Sequence, residues 1–139
     1  MARILSIDYG AKRCGIAVTD TLQIIASGLT TINTPELLDF LSNYFDKEDV
    51  EKVVIGYPQK LDNERTPHSV PLIKNFIKKF KKKFPNLQID KEDEHFTSKM
   101  AVDAMIQGGV KKMKRRDKAL IDKISAAIIL QSYLERSNY

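Results

Sequence analysis

The chain has 139 residues, of which 42% are hydrophobic and 29% charged. These values are typical of a globular protein, so we expect a single domain over residues 1–139 and exclude a disordered or fibrous chain. The longest apolar run, residues 126–130, is too short to span a bilayer, which takes about 20 residues. Cys14 is the only cysteine, which excludes an internal disulfide or a cysteine-based zinc site. Since Asp8 also interrupts the apolar run that a signal peptide needs, we expect a cytoplasmic protein without membrane attachment.

The net charge of +5 is distributed unevenly, with −3 over residues 1–70 and +8 over residues 71–139. A basic half suggests a polyanionic partner, because lysine and arginine release counterions from a phosphate backbone. A lysine-rich solvated surface has the same composition, so charge alone leaves both interpretations open.

The first third of the chain is rich in short strand patterns. Arg3–Asp8 is a branched apolar run ended by Tyr9-Gly10 and predicts a buried strand. A second strand is predicted over Cys14–Asp20 and a third over about Ile24–Ile32. The short connections between these segments favour hairpins and therefore an antiparallel start.

The periodicity then becomes helical and alternates with strands. Thr34-Pro35-Glu36 is typical of a helix start with Thr34 as the cap, and Val53–Gly56 predicts a buried strand. An apolar stripe from Ile73 to Phe84 predicts the next helix, and Leu87–Asp93 a further strand. Two helices complete the chain: one capped by Thr97 or Ser98 and stopping at Gly108-Gly109, the other capped by Asp117 and running to about Arg136. The order predicts an α/β fold whose sheet starts antiparallel, continues with parallel strands and is covered by helices.

Acidic residues end two of the predicted strands. Asp8 ends the first strand, and Glu92, Asp93 and Glu94 follow one another at the end of the fifth. Ligands of α/β sheets collect at such ends, although an aspartate before glycine also forms ordinary turns. We interpret Glu92 and Asp93 as a solvated strand end and Glu94 as the candidate functional acid.

Asp122 lies in a helix that is apolar on nearly all sides. Its own face carries Ala126 and Ile129, so an ionised carboxylate there is costly to bury without a partner or a metal. The alternative is an acid in the first two turns that the helix dipole stabilises.

The three carboxylates of Asp8, Glu94 and Asp122 can converge, since two end strands of one sheet and the third lies on a helix packed against it. Oxygen-only ligation suits Mg²⁺ or Mn²⁺, and two such ions about 4 Å apart promote phosphodiester cleavage. The two histidines, His68 and His95, make a multi-histidine zinc site improbable.

Four segments of the chain, in order, are similar to one family. Residues 7–18 read IDYGAKRCGIAV, residues 54–58 VIGYP, residues 93–98 DEHFTS and residues 121–127 IDKISAA. Together they resemble the YqgF (RuvX) family of pre-16S rRNA nucleases. The resemblance implies a ribonuclease H-like fold related to Holliday junction resolvases. It also implies a metal-dependent endonuclease that trims the 5′ end of precursor 16S rRNA during ribosome biogenesis, with catalytic acids at Asp8, Glu94 and Asp122.

The chain departs from the family pattern at two positions. His95 stands where the family usually has arginine after the glutamate, so a phosphate contact there becomes pH-dependent. Asn63 follows Asp62 where the family tends to have glycine, and asparagine tolerates the left-handed conformation that glycine would supply.

Basic side chains lie close in sequence to the candidate acids. Lys12 and Arg13, in the predicted first hairpin loop, are suited to hold a phosphate or are simply exposed. A second basic loop precedes the Asp122 helix, and we favour nucleic-acid contact for its residues Lys111, Lys112, Lys114, Arg115 and Arg116. The lysines that alternate with the Ile73–Phe84 stripe are interpreted as a solvated helix face.

Three other functions share parts of this pattern. Residues 10–15 imitate the start of a P-loop, but Ile16-Ala17 replaces the required Lys-Ser/Thr, and the chain is too short for a two-lobed ATPase. A non-catalytic RNA-binding module is the second alternative, and the presence of all three acids argues against it. Resolution of four-way DNA junctions would use the same chemistry in a dimer, and the sequence leaves monomer and homodimer open.

Overall fold

A mixed five-stranded sheet forms the centre of the molecule in a computed structural model that describes residues 2–58, 69–93, 97–109 and 117–137. The strands are β1 Arg3–Asp8, β2 Arg13–Thr19, β3 Ala26–Asn33, β4 Val50–Tyr57 and β5 Gln88–Asp93. The helices are α1 Leu37–Lys47, α2 Ser69–Lys83, α3 Thr97–Gln107 and α4 Lys118–Ser137, with a short 3₁₀ turn at Thr34–Glu36 before α1. The order along the chain is the one that the sequence predicts.

The strands lie in the order β3-β2-β1-β4-β5. The pairs β1/β2 and β2/β3 are antiparallel, whereas β4 pairs in parallel with both β1 and β5. The predicted antiparallel start and parallel continuation are therefore confirmed. Because β1, β4 and β5 run in the same direction, Asp8, Tyr57 and Asp93 end at one edge of the sheet.

Alternation along β1 divides the core between the two faces of the sheet. Leu5 and Ile7 pack with Leu41 of α1 and with Phe80 of α2 on one face. Ile4 packs with the buried side of α4 on the other face, where the Ser6 hydroxyl donates a 2.7 Å hydrogen bond to the Ala126 carbonyl. α4 therefore covers one face of the sheet almost alone, whereas α1 and α2 share the other.

Several local predictions are confirmed. Asp117 caps α4, since its carboxylate accepts a hydrogen bond from the Ala119 N–H at 3.0 Å. Gly109 has φ of +77°, the left-handed conformation that ends a helix. The lysines of α2 are exposed, as a solvated face requires. The Tyr9 ring packs on α2, with its centroid 5.1 Å from that of Phe76.

Three local predictions are wrong. Thr34 does not cap α1, because its hydroxyl donates to the Gly10 carbonyl at 2.7 Å instead. Ile24 and Ile25 precede β3, because their N–H groups donate to the Asp20 carboxylate in a turn. Glu92 is not a solvated strand end but is only 5% exposed.

No helix in the described part of the chain combines the length and the apolar character needed to cross a membrane. Thr66-Pro67, a pattern typical of a helix start ahead of the Ile73–Phe84 stripe, lies outside the described residues.

We expect Gly15→Ala to destabilise the protein strongly, because a β-carbon at Gly15 would lie 1.9 Å from the Asp122 carbonyl oxygen and 2.4 Å from its carbon. Backbone atoms of a packed helix cannot move aside as a side chain can. Overpacking of this kind costs about 1–3 kcal/mol or more in the free energy of unfolding.

Gly28→Ala is the matched control, since its β-carbon would lie 2.7 Å from Cγ of the Lys123 side chain and 3.3 Å from the Lys123 carbonyl oxygen. A side chain can shift more easily than a helix backbone, so the loss should be smaller than for Gly15→Ala. Urea denaturation of both variants makes the comparison. Equal losses would show that α4 does not press on β2 at Gly15.

Candidate metal and phosphate site

Asp8 closes β1 at the edge where the parallel strands end. By alternation along β1 it belongs with Ile4 and Ser6, on the face that α4 covers. Its register partner on β2 is Gly15. The absence of a side chain at Gly15 leaves space beside Asp8 for the helix backbone.

The first turns of α4 occupy that space. The Asp122 carbonyl oxygen lies only 1.9 Å from the position that a Gly15 β-carbon would take, so the helix backbone contacts the strand directly. Asp8 is beside Gly15 in the sheet, and Asp122 is above it on the helix. The structure therefore brings together two of the three predicted acids around one glycine of β2.

Arg13 connects β2 to Asp122. Its Nε donates a 2.6 Å hydrogen bond to Asp122 Oδ2, and the two side chains are 32% and 21% exposed. Arg13 is the first residue of β2 rather than a loop residue, so its backbone is held in the sheet. The sequence analysis expected a buried Asp122 carboxylate to need a partner or a metal, and Arg13 is such a partner. Arg13 is also one of the basic residues that the sequence suggests for holding a phosphate.

Burial raises the pKa of the Asp122 carboxyl above its ordinary value of 3.8. The hydrogen bond and the positive charge of Arg13 lower this pKa, but they do not cancel the cost of removing the carboxylate from water. Lys118 also lowers it, whereas the negative charge of Asp117 raises it. Among the described residues, the positive charges near the Asp122 carboxylate therefore offset only part of the cost of its burial.

The charges of Asp8 and Asp122 both affect the pKa of the Cys14 thiol. Burial is the main cause that raises the pKa of its thiol, and the negative charges of Asp8 and Asp122 raise it further. A hydrogen bond with Thr34 and another with the Gly10 carbonyl act in the opposite direction. Because one thiol is influenced by both acids, the two charges act on the same small region.

Thr34 anchors the β1–β2 loop that carries Lys12. Its hydroxyl donates to the Gly10 carbonyl, and its N–H donates to the Lys12 carbonyl at 3.0 Å. The Lys12 side chain is exposed at the same edge as Asp8. Sequence reasoning assigned Thr34 to a helix cap and missed this anchoring role, which depends on a contact between segments 24 residues apart.

The remaining predicted site residues lie outside the described residues. These are Glu94, which follows the last residue of β5 in the chain, and the basic residues Lys111, Lys112, Lys114, Arg115 and Arg116. His95 lies outside them as well.

A metal is implied by the pattern of acids, and the donor set can be tested for fit. Within the described ranges, no group of three or more histidine, cysteine or acidic side chains could hold a metal ion. Asp8 and Asp122 nevertheless supply only oxygen donors, which suits Mg²⁺ or Mn²⁺ and not Zn²⁺. The Ser125 hydroxyl, three residues after Asp122, is fully buried and has no hydrogen-bond partner in the described part of the chain. The two carboxylates by themselves are the kind of donor that suits a hard, hydrated cation.

A separate polar network attaches the C-terminal half of α4 to β4 and β5. Tyr133 donates to Asp90 at 2.7 Å and accepts from Lys52 at 3.0 Å. Glu92 accepts from Ser132 at 2.9 Å and from Arg136 at 2.7 Å, which explains why this acid is buried. Every charged member of this network has a partner, so we interpret it as structural.

Comparisons with known proteins identify the family of this chain. A sequence model of the RuvX family, described as Holliday junction resolvase, matches residues 2–136. The chain belongs to the RuvX family. It is 58% identical over 134 residues to a protein of Christiangramia forsetii, covering 96% of this chain and 98% of the relative. It is 55% identical over 136 residues to a protein of Flavobacterium psychrophilum, covering 98% of each chain. Both relatives carry the name "Putative pre-16S rRNA nuclease".

The fold of this RuvX family member also matches a solved structure. That structure is RuvC of T. thermophilus in complex with a Holliday junction substrate, with a TM-score of 0.58 and 14% sequence identity. The match covers 99% of this chain and 97% of RuvC. It confirms the predicted ribonuclease H-like fold.

The raised pKa of Asp122 predicts a specific pH dependence of stability. Since the folded state holds this proton more tightly than the unfolded chain, the contribution of Asp122 to the free energy of unfolding falls as pH rises from 3.8 through the raised value. Asp122→Asn lacks this contribution. The difference in unfolding free energy, wild type minus Asp122→Asn, should therefore decrease with rising pH and then level off.

Urea denaturation between pH 3.5 and 8 measures this difference. Glu135→Gln, which removes an exposed acid from the same helix, is the control for the loss of a carboxylate as such. A difference for Asp122→Asn that is independent of pH would show that its pKa is ordinary.

Proposed function

We propose that this chain is a divalent-metal-dependent endonuclease that hydrolyses phosphodiester bonds and matures the 5′ end of precursor 16S rRNA in the cytoplasm. The observation that carries the proposal is the juxtaposition of Asp8 and Asp122 around Gly15, at the edge of the sheet where β1, β4 and β5 end. Membership of a family described as resolvases and relatives named as pre-16S rRNA nucleases support the same chemistry.

Asp8, Asp122 and Glu94 are the residues that would hold Mg²⁺ or Mn²⁺, two ions in our proposal. Such ions, when bound, activate a water and neutralise charge on the leaving oxygen. The chain itself contributes a rigid pair of carboxylates, since Asp8 is fixed in the sheet and Asp122 in a helix that contacts Gly15. Glu94 enters this set on the sequence resemblance.

Basic side chains next to the acids would orient the substrate. Lys12 is exposed on a loop anchored by Thr34, and Arg13 lies on β2 within hydrogen-bonding distance of Asp122. Both are suited to bind the phosphates that flank the scissile bond, because ammonium and guanidinium groups pair with phosphate oxygens. The basic segment of Lys111, Lys112, Lys114, Arg115 and Arg116 would extend this contact along the nucleic acid.

Resolution of four-way DNA junctions is the second candidate function. The description of the RuvX family as Holliday junction resolvase favours it. Both substrates would be cut by the same centre, but symmetric cleavage of a junction needs two centres in a homodimer. Precursor rRNA is our first choice because the relatives with 50–58% identity carry that name.

The deciding experiment incubates the purified protein with a 5′-extended precursor of 16S rRNA or with a four-way DNA junction, each with Mg²⁺ or Mn²⁺. We expect cleavage of the rRNA precursor. Cleavage of the junction alone would replace the first function by the second. Tight RNA binding without cleavage in either metal would favour a non-catalytic RNA-binding module.

Asp122→Asn should lower cleavage by orders of magnitude while RNA affinity is kept or slightly increased. The substitution preserves shape but removes the charge that would anchor a metal ion, and it also removes a negative charge near phosphate. Single-turnover cleavage and filter binding measure the two effects. Glu135→Gln, on the exposed side of the same helix, should change neither. Unchanged cleavage by Asp122→Asn would refute the assigned role of this acid.

Replacing Lys111, Lys112, Arg115 and Arg116 by alanine should have the opposite effect. Binding should weaken for all sequences, while cleavage at saturating RNA persists. The salt dependence should flatten by about one slope unit for each phosphate that the variant no longer neutralises. The control removes four exposed lysines from α2: Lys78, Lys79, Lys81 and Lys82. Both variants lack four positive charges, so an equal decrease in affinity would mean that net charge and not this segment controls binding.

A further inference from the structure

We propose that Arg13 exchanges partners during the binding cycle: it neutralises Asp122 before a metal ion binds and then contacts a substrate phosphate when the ion takes Asp122. The inference rests on the proposed nuclease function and adds an order of events to it. Arg13 would thus supply the positive charge next to Asp122 before the metal ion binds and would contact the nucleic acid afterwards.

The geometry of the ion pair supports an exchange. A single N–H of Arg13, on Nε, donates to Asp122 Oδ2 at 2.6 Å. This pair uses the Nε–H alone, so the two terminal NH₂ groups of the guanidinium take no part in it. Since Arg13 is 32% exposed, these groups have access to a ligand from solution. A phosphate, which accepts two parallel hydrogen bonds from a guanidinium, matches them.

The charge balance also supports an exchange. Asp122 is paired with one guanidinium N–H, and its side chain is still 21% exposed. A divalent ion brings twice the charge and, in our proposal, also binds Asp8, the register partner of Gly15. A metal ion should therefore displace Arg13, because two cations compete for the same oxygens.

The backbone around Arg13 keeps the released side chain near the substrate. Arg13 begins β2 in register with Asn33 on β3, and the preceding Lys12 carbonyl is held by the Thr34 N–H. Only the side chain is then free to rotate, and Lys12 is exposed next to it. Release from Asp122 would place two adjacent positive charges at the edge of the sheet where the phosphodiester is expected.

An exchange makes metal binding and RNA binding cooperative through Arg13. Each ligand should increase the affinity for the other by the same factor, as thermodynamic linkage requires. A merely structural ion pair would give a different result, since its removal would loosen Asp122 and weaken metal binding.

The first measurement is Mn²⁺ affinity without RNA, by calorimetric titration at pH 8. We expect Arg13→Gln to bind Mn²⁺ about fivefold or more tightly than wild type, because its competitor is gone. Arg3→Gln is the matched control, since it breaks another part-buried arginine–carboxylate pair, with Glu48 at 3.3 Å, at the opposite end of β1. That variant should bind Mn²⁺ like wild type. Arg13→Lys keeps the charge and should stay close to the wild-type affinity.

The second measurement is the affinity for a labelled precursor RNA by fluorescence anisotropy, with and without Ca²⁺ and with intact RNA verified on a gel. We expect Ca²⁺ to strengthen RNA binding more in wild type than in Arg13→Gln. Arg13→Lys should recover part of the difference. Circular dichroism establishes that the variants are folded, and Arg13→Lys provides the test if Arg13→Gln is not.

Two results would overturn the exchange in different ways. Weaker or equal Mn²⁺ binding by Arg13→Gln, with normal binding by wild type, would show that Arg13 only holds Asp122 in place and would leave the nuclease proposal intact. No Mn²⁺ binding by wild type, Arg13→Gln or Arg3→Gln would refute the metal site itself, and the exchange with it.

Discussion

The close contact between α4 and β2 at Gly15 is the constraint on which the rest of the site depends. A helix backbone reaches a sheet this closely only where the strand has no side chain, and the Asp122 carbonyl takes that space. Because Gly15 is also the register partner of Asp8, the same contact sets the position of one acid relative to the other. Backbone packing of α4 on β2 therefore sets the relative position of these two residues.

Placing an acid at such a contact has an electrostatic cost that the structure meets only in part. Asp122 is removed from water when α4 packs on the sheet, and Arg13 restores some of the missing stabilisation through a short ion pair. A carboxylate that remains under-compensated has a higher affinity for a cation than a solvated one. The feature that is unfavourable for folding would thus favour the metal ion of our proposal, and perturbed acids of this kind are typical of functional sites.

The two halves of α4 have different relations to the sheet. Its N-terminal half carries Asp122, whose carbonyl contacts Gly15, and Ser125, whose buried hydroxyl has no hydrogen-bond partner among the described residues. Its C-terminal half is attached through Tyr133 and through the pairing of Arg136 with Glu92, where every charged group has a partner. A fully satisfied network at one end can hold the helix rigidly while the other end remains available for ligands.

The sequence by itself determined the order of the elements, the antiparallel start and the Asp117 cap, because hydrophobic periodicity and turn residues are local properties. Motif spacing is local as well, and it identified Asp8 and Asp122 as candidate functional acids. It did not determine the partners of these groups. Three of these partnerships join residues that are 44 to 109 positions apart in the chain. They are the contact of Asp122 with Gly15, the pairing of Arg13 with Asp122 and the pairing of Glu92 with Arg136. Only the tertiary structure decided them, since the cost of burying a charge depends on which groups the fold brings to it and not on its neighbours in the chain.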